Sequence, residues 1–74
     1  MKVYKFIGNE KDLEKLGYIK VMGIFWGKIT SKCSIVILDY VSVKINGLTY
    51  TEPKIIKPYI KELIDNDLVK VKNI

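Results

Sequence analysis

Apolar and polar positions alternate with a period of two along most of this chain and with a helical period in two places. Lys2 to Ile7 (KVYKFI) is β-branched and aromatic, which predicts a strand ended by Gly8. Asn9 then stands where a helix N-cap belongs, and Asp12, three residues on, completes a weak form of the capping box. Glu10, Asp12 and Glu14 put negative charge in the first turns, where the helix dipole favours it. Leu13 and Leu16 share one face, and Gly17 predicts the stop, so this helix is short. Tyr18 to Met22 and Ile24 to Thr30 predict two strands, with Thr30-Ser31-Lys32 as a polar turn. Ser34 to Leu38 (SIVIL) is an unbroken apolar run, as in a strand covered on both faces or central in a sheet. Asp39-Tyr40 predicts either a turn or a bulge.

Asn46-Gly47 is the clearest local signal. It suits the two-residue type I′ hairpin, whose central positions both need positive φ. The register that follows sets Ile45 against Leu48 and Val43 against Tyr50 on a dry face, with Lys44 against Thr49 and Ser42 against Thr51 on a wet one. Glu52-Pro53 ends the hairpin and opens a helix. From Lys54 to Asp65 the apolar residues Ile55, Ile56, Tyr59, Ile60, Leu63 and Ile64 fill one side of a helical wheel. Pro58 falls inside this segment, so the helix either starts near Lys57 or kinks there. Leu68 to Lys72 (LVKVK) predicts a last, edge strand guarded by Lys70 and Lys72. Residues 1–74 therefore predict one α+β domain: a small, mainly antiparallel sheet, one short N-terminal helix, and one longer C-terminal amphipathic helix packed on a face.

Composition narrows the classes. A hydrophobic fraction of 49% excludes disorder and suffices for one small core. The net charge is +5, and all 13 basic residues are lysine. Such a balance permits contact with nucleic acid or with an acidic protein, but arginine, the usual reader of guanine edges, is missing. The lone Cys33 has no partner for an internal disulfide, and no apolar run approaches the roughly 20 residues of a membrane span. No export signal follows Met1. These features lead to the expectation of a soluble protein of the cytoplasm, without a membrane partner.

GIFWGKIT, residues 23 to 30, resembles a phosphate-binding loop only in outline. Three residues separate its glycines instead of four, Ile29 follows Lys28, and the intervening side chains are bulky. It reads as a strand with Phe25, Gly27 and Ile29 on one side and Trp26, Lys28 and Thr30 on the other. Gly27 then marks a bulge or a close approach to the backbone. Trp26 either anchors a partner from the solvent side or lies in the core, and the usual burial of large aromatics favours the core. Catalytic, cofactor-binding and metal-binding residues are not expected. The chain has no His to activate Cys33 or a serine, and the Glu10, Asp12, Glu14 cluster lacks the spacing of a calcium loop. The candidate partner-binding residues are Tyr18, Phe25, Trp26, Lys28 and Lys32, an aromatic and basic set on the predicted sheet.

Two segments carry a resemblance. KVYKFIGNEKDLEKLGY and KPYIKELIDNDLVKV are similar to the two ends of small proteins found in phages and prophages of low-GC Gram-positive bacteria. The shared motifs are structural, so no functional residue is carried over. The resemblance implies an accessory product of a mobile element that acts by binding something of the host. The resulting expectation is a non-enzymatic interaction protein that binds a host or phage protein and forms a homodimer through sheet edges or the Phe25–Trp26 region. The alternative is a nucleic-acid-binding accessory protein using the lysine- and aromatic-bearing sheet.

Overall fold

In the computed structural model, residues 1–74 form β1 (Lys2–Phe6), α1 (Glu10–Lys15), β2 (Ile19–Val21), β3 (Phe25–Ile29), β4 (Ser34–Ile37), β5 (Val41–Ile45) and β6 (Leu48–Tyr50). Then come α2 (Pro53–Ile56), a 3-10 turn (Lys57–Tyr59), α3 (Lys61–Asp65) and β7 (Val69–Asn73). Strands β2 to β6 make an antiparallel meander in chain order, while β1 and β7 pair only with each other in a second, two-stranded sheet. Strand accounts for 42% of the chain and helix for 24%, so the sheets set the architecture.

That arrangement corrects the expected fold class in two respects. The sheet is not single: the terminal strands form their own ribbon, tied to the meander by a bridge between Lys5 and Tyr40 and a hydrogen bond from Phe6 N to Asp39 O of 3.2 Å. Nor does one long helix cross a face. The longest helical run, Pro53 to Tyr59, has 7 residues. Pro58 has no N–H to return to Lys54, and its ring crowds the preceding turn. Ile60 then leaves helical geometry at φ −117° and ψ 30°, and α3 starts afresh. The apolar phase is kept across this break because burial in the core, and not a continuous helical repeat, fixes Ile56, Ile60 and Leu63. Ile56, Ile60 and Leu63 all point inward, at 0%, 1% and 0% exposure. Each such burial contributes about 1.5–3 kcal/mol. Ile55, expected on the same apolar face, is 40% exposed, because only the i, i+4, i+7 positions reach the sheet.

Local signals elsewhere appear as expected. Asn9 Oδ1 accepts from Asp12 N at 3.2 Å, and Asp12 Oδ2 accepts from Asn9 N at 3.1 Å, a complete capping box. The end of α1 closes with Gly17 N to Glu14 O at 3.1 Å and Tyr18 N to Leu13 O at 3.0 Å, the paired bonds of a Schellman motif. Asn46 and Gly47 have φ of 50° and 84°, and Ile45 faces Leu48 while Val43 faces Tyr50. Asp39 lies in the turn between β4 and β5, and Tyr40 forms the bridge to Lys5.

The inner face of the meander carries Trp26, Ile35, Ile37, Val41 and Val43, and it is covered by Leu13, Ile56, Ile60, Leu63, Leu68 and Tyr4. The other face of the meander has no element packed on it. The run Ser34–Leu38 is therefore central in the sheet but dry on one face only: Ile35 and Ile37 are buried, whereas Val36 is half-exposed and Leu38 is 59% exposed.

Candidate functional site

The uncovered face is built from alternate residues of β2, β3 and β4. Cross-strand register puts Ile19, Gly27 and Val36 in one row and Val21 beside Phe25 in the next, with Ile29 beside Ser34 on the far side. Farther across the sheet the same rows continue into Ser42, Lys44 and Thr49. The outer face thus changes from apolar over β2–β4 to polar over β5–β6. Exposure on the apolar half is high: Ile19 is 66% and Ile29 85% exposed, and Met22 and Ile24 at the β2–β3 turn are 84% and 62% exposed.

A hollow of about 420 Å³ lies over this half. Gly27 forms its floor, between Ile19, Val21, Phe25, Ile29 and Val36. The pairing runs through Gly27 without interruption, and a Cβ there would come no closer than 3.6 Å to Val21 Cγ2. Gly27 therefore marks neither a bulge nor a close approach. Its effect is to leave out a side chain where the neighbours supply apolar walls.

The five residues singled out from the sequence do not form one surface. Tyr18 and Trp26 are buried at 4% and 8% exposure, so neither ring offers a face for stacking. Phe25 stands half-buried on the outer face, and Lys32 is exposed at the β3–β4 turn. Lys28 lies on the inner side of β3. Its Nζ donates to Leu16 O at 2.7 Å, meets Glu62 Oε2 at 3.1 Å and sits 5.5 Å from the Tyr18 ring centre. This lysine ties the end of α1 and the first turn of α3 to the sheet. Burial pushes the Tyr18 phenol well above its ordinary pKa, and the Glu62 carboxylate adds to the effect.

Lys20 is also turned inward. Its Nζ donates to Glu10 Oε1 at 3.0 Å and lies 5.3 Å from the Trp26 ring centre. The hydrogen bond from Lys20 holds the Glu10 carboxyl below the usual range. The Trp26 indole N–H is buried without a hydrogen-bond partner. Cys33 is buried in the β3–β4 turn, where its N–H donates to Thr30 Oγ1 at 3.1 Å. No three His, Cys, Asp or Glu side chains converge, and no helix is long and apolar enough to cross a membrane.

The residues that sequence reasoning missed are Ile19, Val21, Met22, Ile24, Ile29 and Val36. Their signal was present: β3 and β4 carry apolar residues on both faces, which a sheet with one wet face does not need. No protein-family model matches the chain, and no curated protein or solved structure matches it.

Proposed function

We propose that this chain is a small, non-enzymatic interaction protein of phage or prophage origin that acts by binding a host or phage protein. The observation that carries the reading is the apolar half of the outer sheet face, with its hollow over Gly27 and its exposed rim at Ile19, Met22, Ile24 and Ile29. Contiguous apolar surface of this kind on a small protein marks a contact site. The lining of the hollow is mainly apolar, and its one ionisable residue, Lys28, has its Nζ held by Leu16 O and Glu62, which suits the poorly hydrated centre of a protein–protein contact. A non-enzymatic role is supported by a chain without histidine and with a buried cysteine. Phage origin is supported by the resemblance of the two terminal segments.

The test is capture from a lysate of a low-GC Gram-positive host carrying a prophage, with and without nuclease. The reading expects a protein retained by the wild-type chain, unaffected by nuclease and lost with Ile29→Lys. Ile29 is 85% exposed, so that substitution leaves the core alone. Capture that vanishes with nuclease, or that persists in Ile29→Lys, overturns it.

A further inference from the structure

The meander ends at β6, whose outer edge is unpaired. The two-residue turn at Asn46-Gly47 fixes which backbone groups lie on that edge. Ile45 faces Leu48 beside the turn and Val43 faces Tyr50, so Leu48 and Tyr50 bond to β5, whereas Thr49, opposite Lys44, does not. The N–H and C=O of Thr49, and by the same alternation those of Thr51, project from the free edge. None of these groups bonds elsewhere in the chain. The start of β1 offers a second free edge. Ile74 N donates to Met1 O at 2.8 Å and Ile7 N to Leu68 O at 2.7 Å, so the odd-numbered residues of β1 face β7 and the even-numbered ones face away. On that outer side Phe6 N reaches Asp39 O, but the N–H and C=O of Lys2 reach nothing in the chain.

Both edges border one hollow of about 500 Å³, whose lining includes Lys2, Thr49, Thr51 and Lys54. Its chemistry defines what fits. Lys2 and Lys54 are exposed and neither takes part in an ion pair, while Glu52 is the one acid of the lining. The net charge of +5 adds a long-range attraction for acidic partners. Half-buried Tyr50 and Ile55, 40% exposed, supply an apolar part. Donors and acceptors spaced along a strand edge match another extended backbone. The phosphates of a nucleic acid would answer the N–H groups and leave each C=O unmet. A second copy would bring its own lysines to the same edge, the arrangement that keeps edges from pairing with themselves.

We infer that the hollow between β6 and the start of β1 takes an extended, acidic segment of a partner protein, which adds to β6 as a further strand through the backbone of Thr49 and Thr51, with its carboxylates beside Lys2 and Lys54. This site lies apart from the outer face over β2–β4 and does not rest on the reading of that face.

Titration of the full, isotope-labelled chain with an end-blocked peptide of alternating glutamate and valine tests it. The amide signals of Lys2, Thr49 and Thr51 should shift, and the Thr49 and Thr51 amides should exchange more slowly with solvent as the peptide saturates. Methylating the backbone nitrogens of the peptide leaves its charge intact and should weaken binding about tenfold or more. Lys54→Glu, at an exposed position, should weaken binding severalfold and flatten its salt dependence. Thr49→Pro removes an edge N–H that β5 does not use and should act as methylation does, with an unchanged circular dichroism spectrum. Ile29→Lys, on the outer face, should bind the peptide as the wild type does. No shift at millimolar peptide, equal binding of a lysine–valine peptide, or binding indifferent to methylation each overturns the inference. So does a single-stranded oligonucleotide that shifts the same amides at lower concentration than the peptide. The titration uses purified chain and no lysate, so its failure leaves the contact proposed for the outer face standing.

Discussion

Gly8 and Gly27 show how one missing side chain serves opposite ends. A Cβ at Gly8 would fall 2.5 Å from Leu68 Cδ2 and 3.2 Å from Asp12 Oδ2. Leu68 is buried at 6% exposure, and Asp12 is half of the capping box, so neither neighbour gives way freely. Gly8→Ala should therefore destabilise the protein by about 1–3 kcal/mol through overpacking, outweighing the roughly 0.4–1 kcal/mol gained by stiffening the unfolded chain. Gly27→Ala meets nothing nearer than 3.6 Å, and alanine suits a strand better. It should be stabilising by about 0.5–1 kcal/mol. Urea midpoints of the two variants, read at a concentration where the monomer prevails, should move in opposite directions. A rise in both midpoints would show that packing at Gly8 is looser than its surroundings indicate, and a fall in both would show that an alanine side chain is not accommodated at Gly27.

At the scale of elements, the terminal ribbon carries a conflict. Its register sets Lys5 directly opposite Lys70, and Lys72 stands opposite Val3 on the same side. Neither strand contains an acid, and neither lysine takes part in an ion pair. Like charges facing across a ladder are destabilising, and opposite charges contribute about 0.2–1 kcal/mol. Lys70→Glu should accordingly raise the melting temperature and lose part of the gain at high salt. Unchanged or lower stability would mean that the Lys5 and Lys70 ammonium groups already diverge into solvent. The broken C-terminal helix belongs to the same scale. Its three pieces keep the inward triad Ile56, Ile60 and Leu63 although Pro58 removes the continuous ladder, because burial and not helix propensity holds the segment.

For the molecule as a whole, Lys28 and Tyr18 sit where α1, α3 and the sheet meet. The native state keeps the Tyr18 phenol protonated longer than the unfolded chain does. A raised folded pKa means stability that is fully present below the unfolded value, near 10, and is lost as pH rises beyond it, by up to about 1.4 kcal/mol per pH unit. Urea midpoints between pH 8 and 11 should fall on the alkaline side for the wild type and fall less for Tyr18→Phe. Comparison with the variant separates the contribution of Tyr18 from every other effect of alkaline pH. Parallel curves would place the phenol in contact with water.

The hairpin at Asn46-Gly47, the capped first helix and the inward phase of Ile56, Ile60 and Leu63 were legible in the sequence because each rests on interactions within a few residues. Positive φ at a turn, a side chain returning to a nearby N–H, and a period of 3.6 are all local. The place of Pro58 was also legible, but its outcome was not, since a kink and a break differ only in how the following turn packs. The division into two sheets, the inward turn of Lys20 and Lys28, and the uncovered face over β2–β4 came only with the tertiary structure. A period of two says that residues alternate between faces, and GIFWGKIT is apolar on both. Which face the helical segments cover is decided by contacts between residues far apart in the chain, such as Trp26 with Leu13 and Ile60 in one core. That choice buried Trp26 and Tyr18 and left Ile19, Ile24 and Ile29 in water.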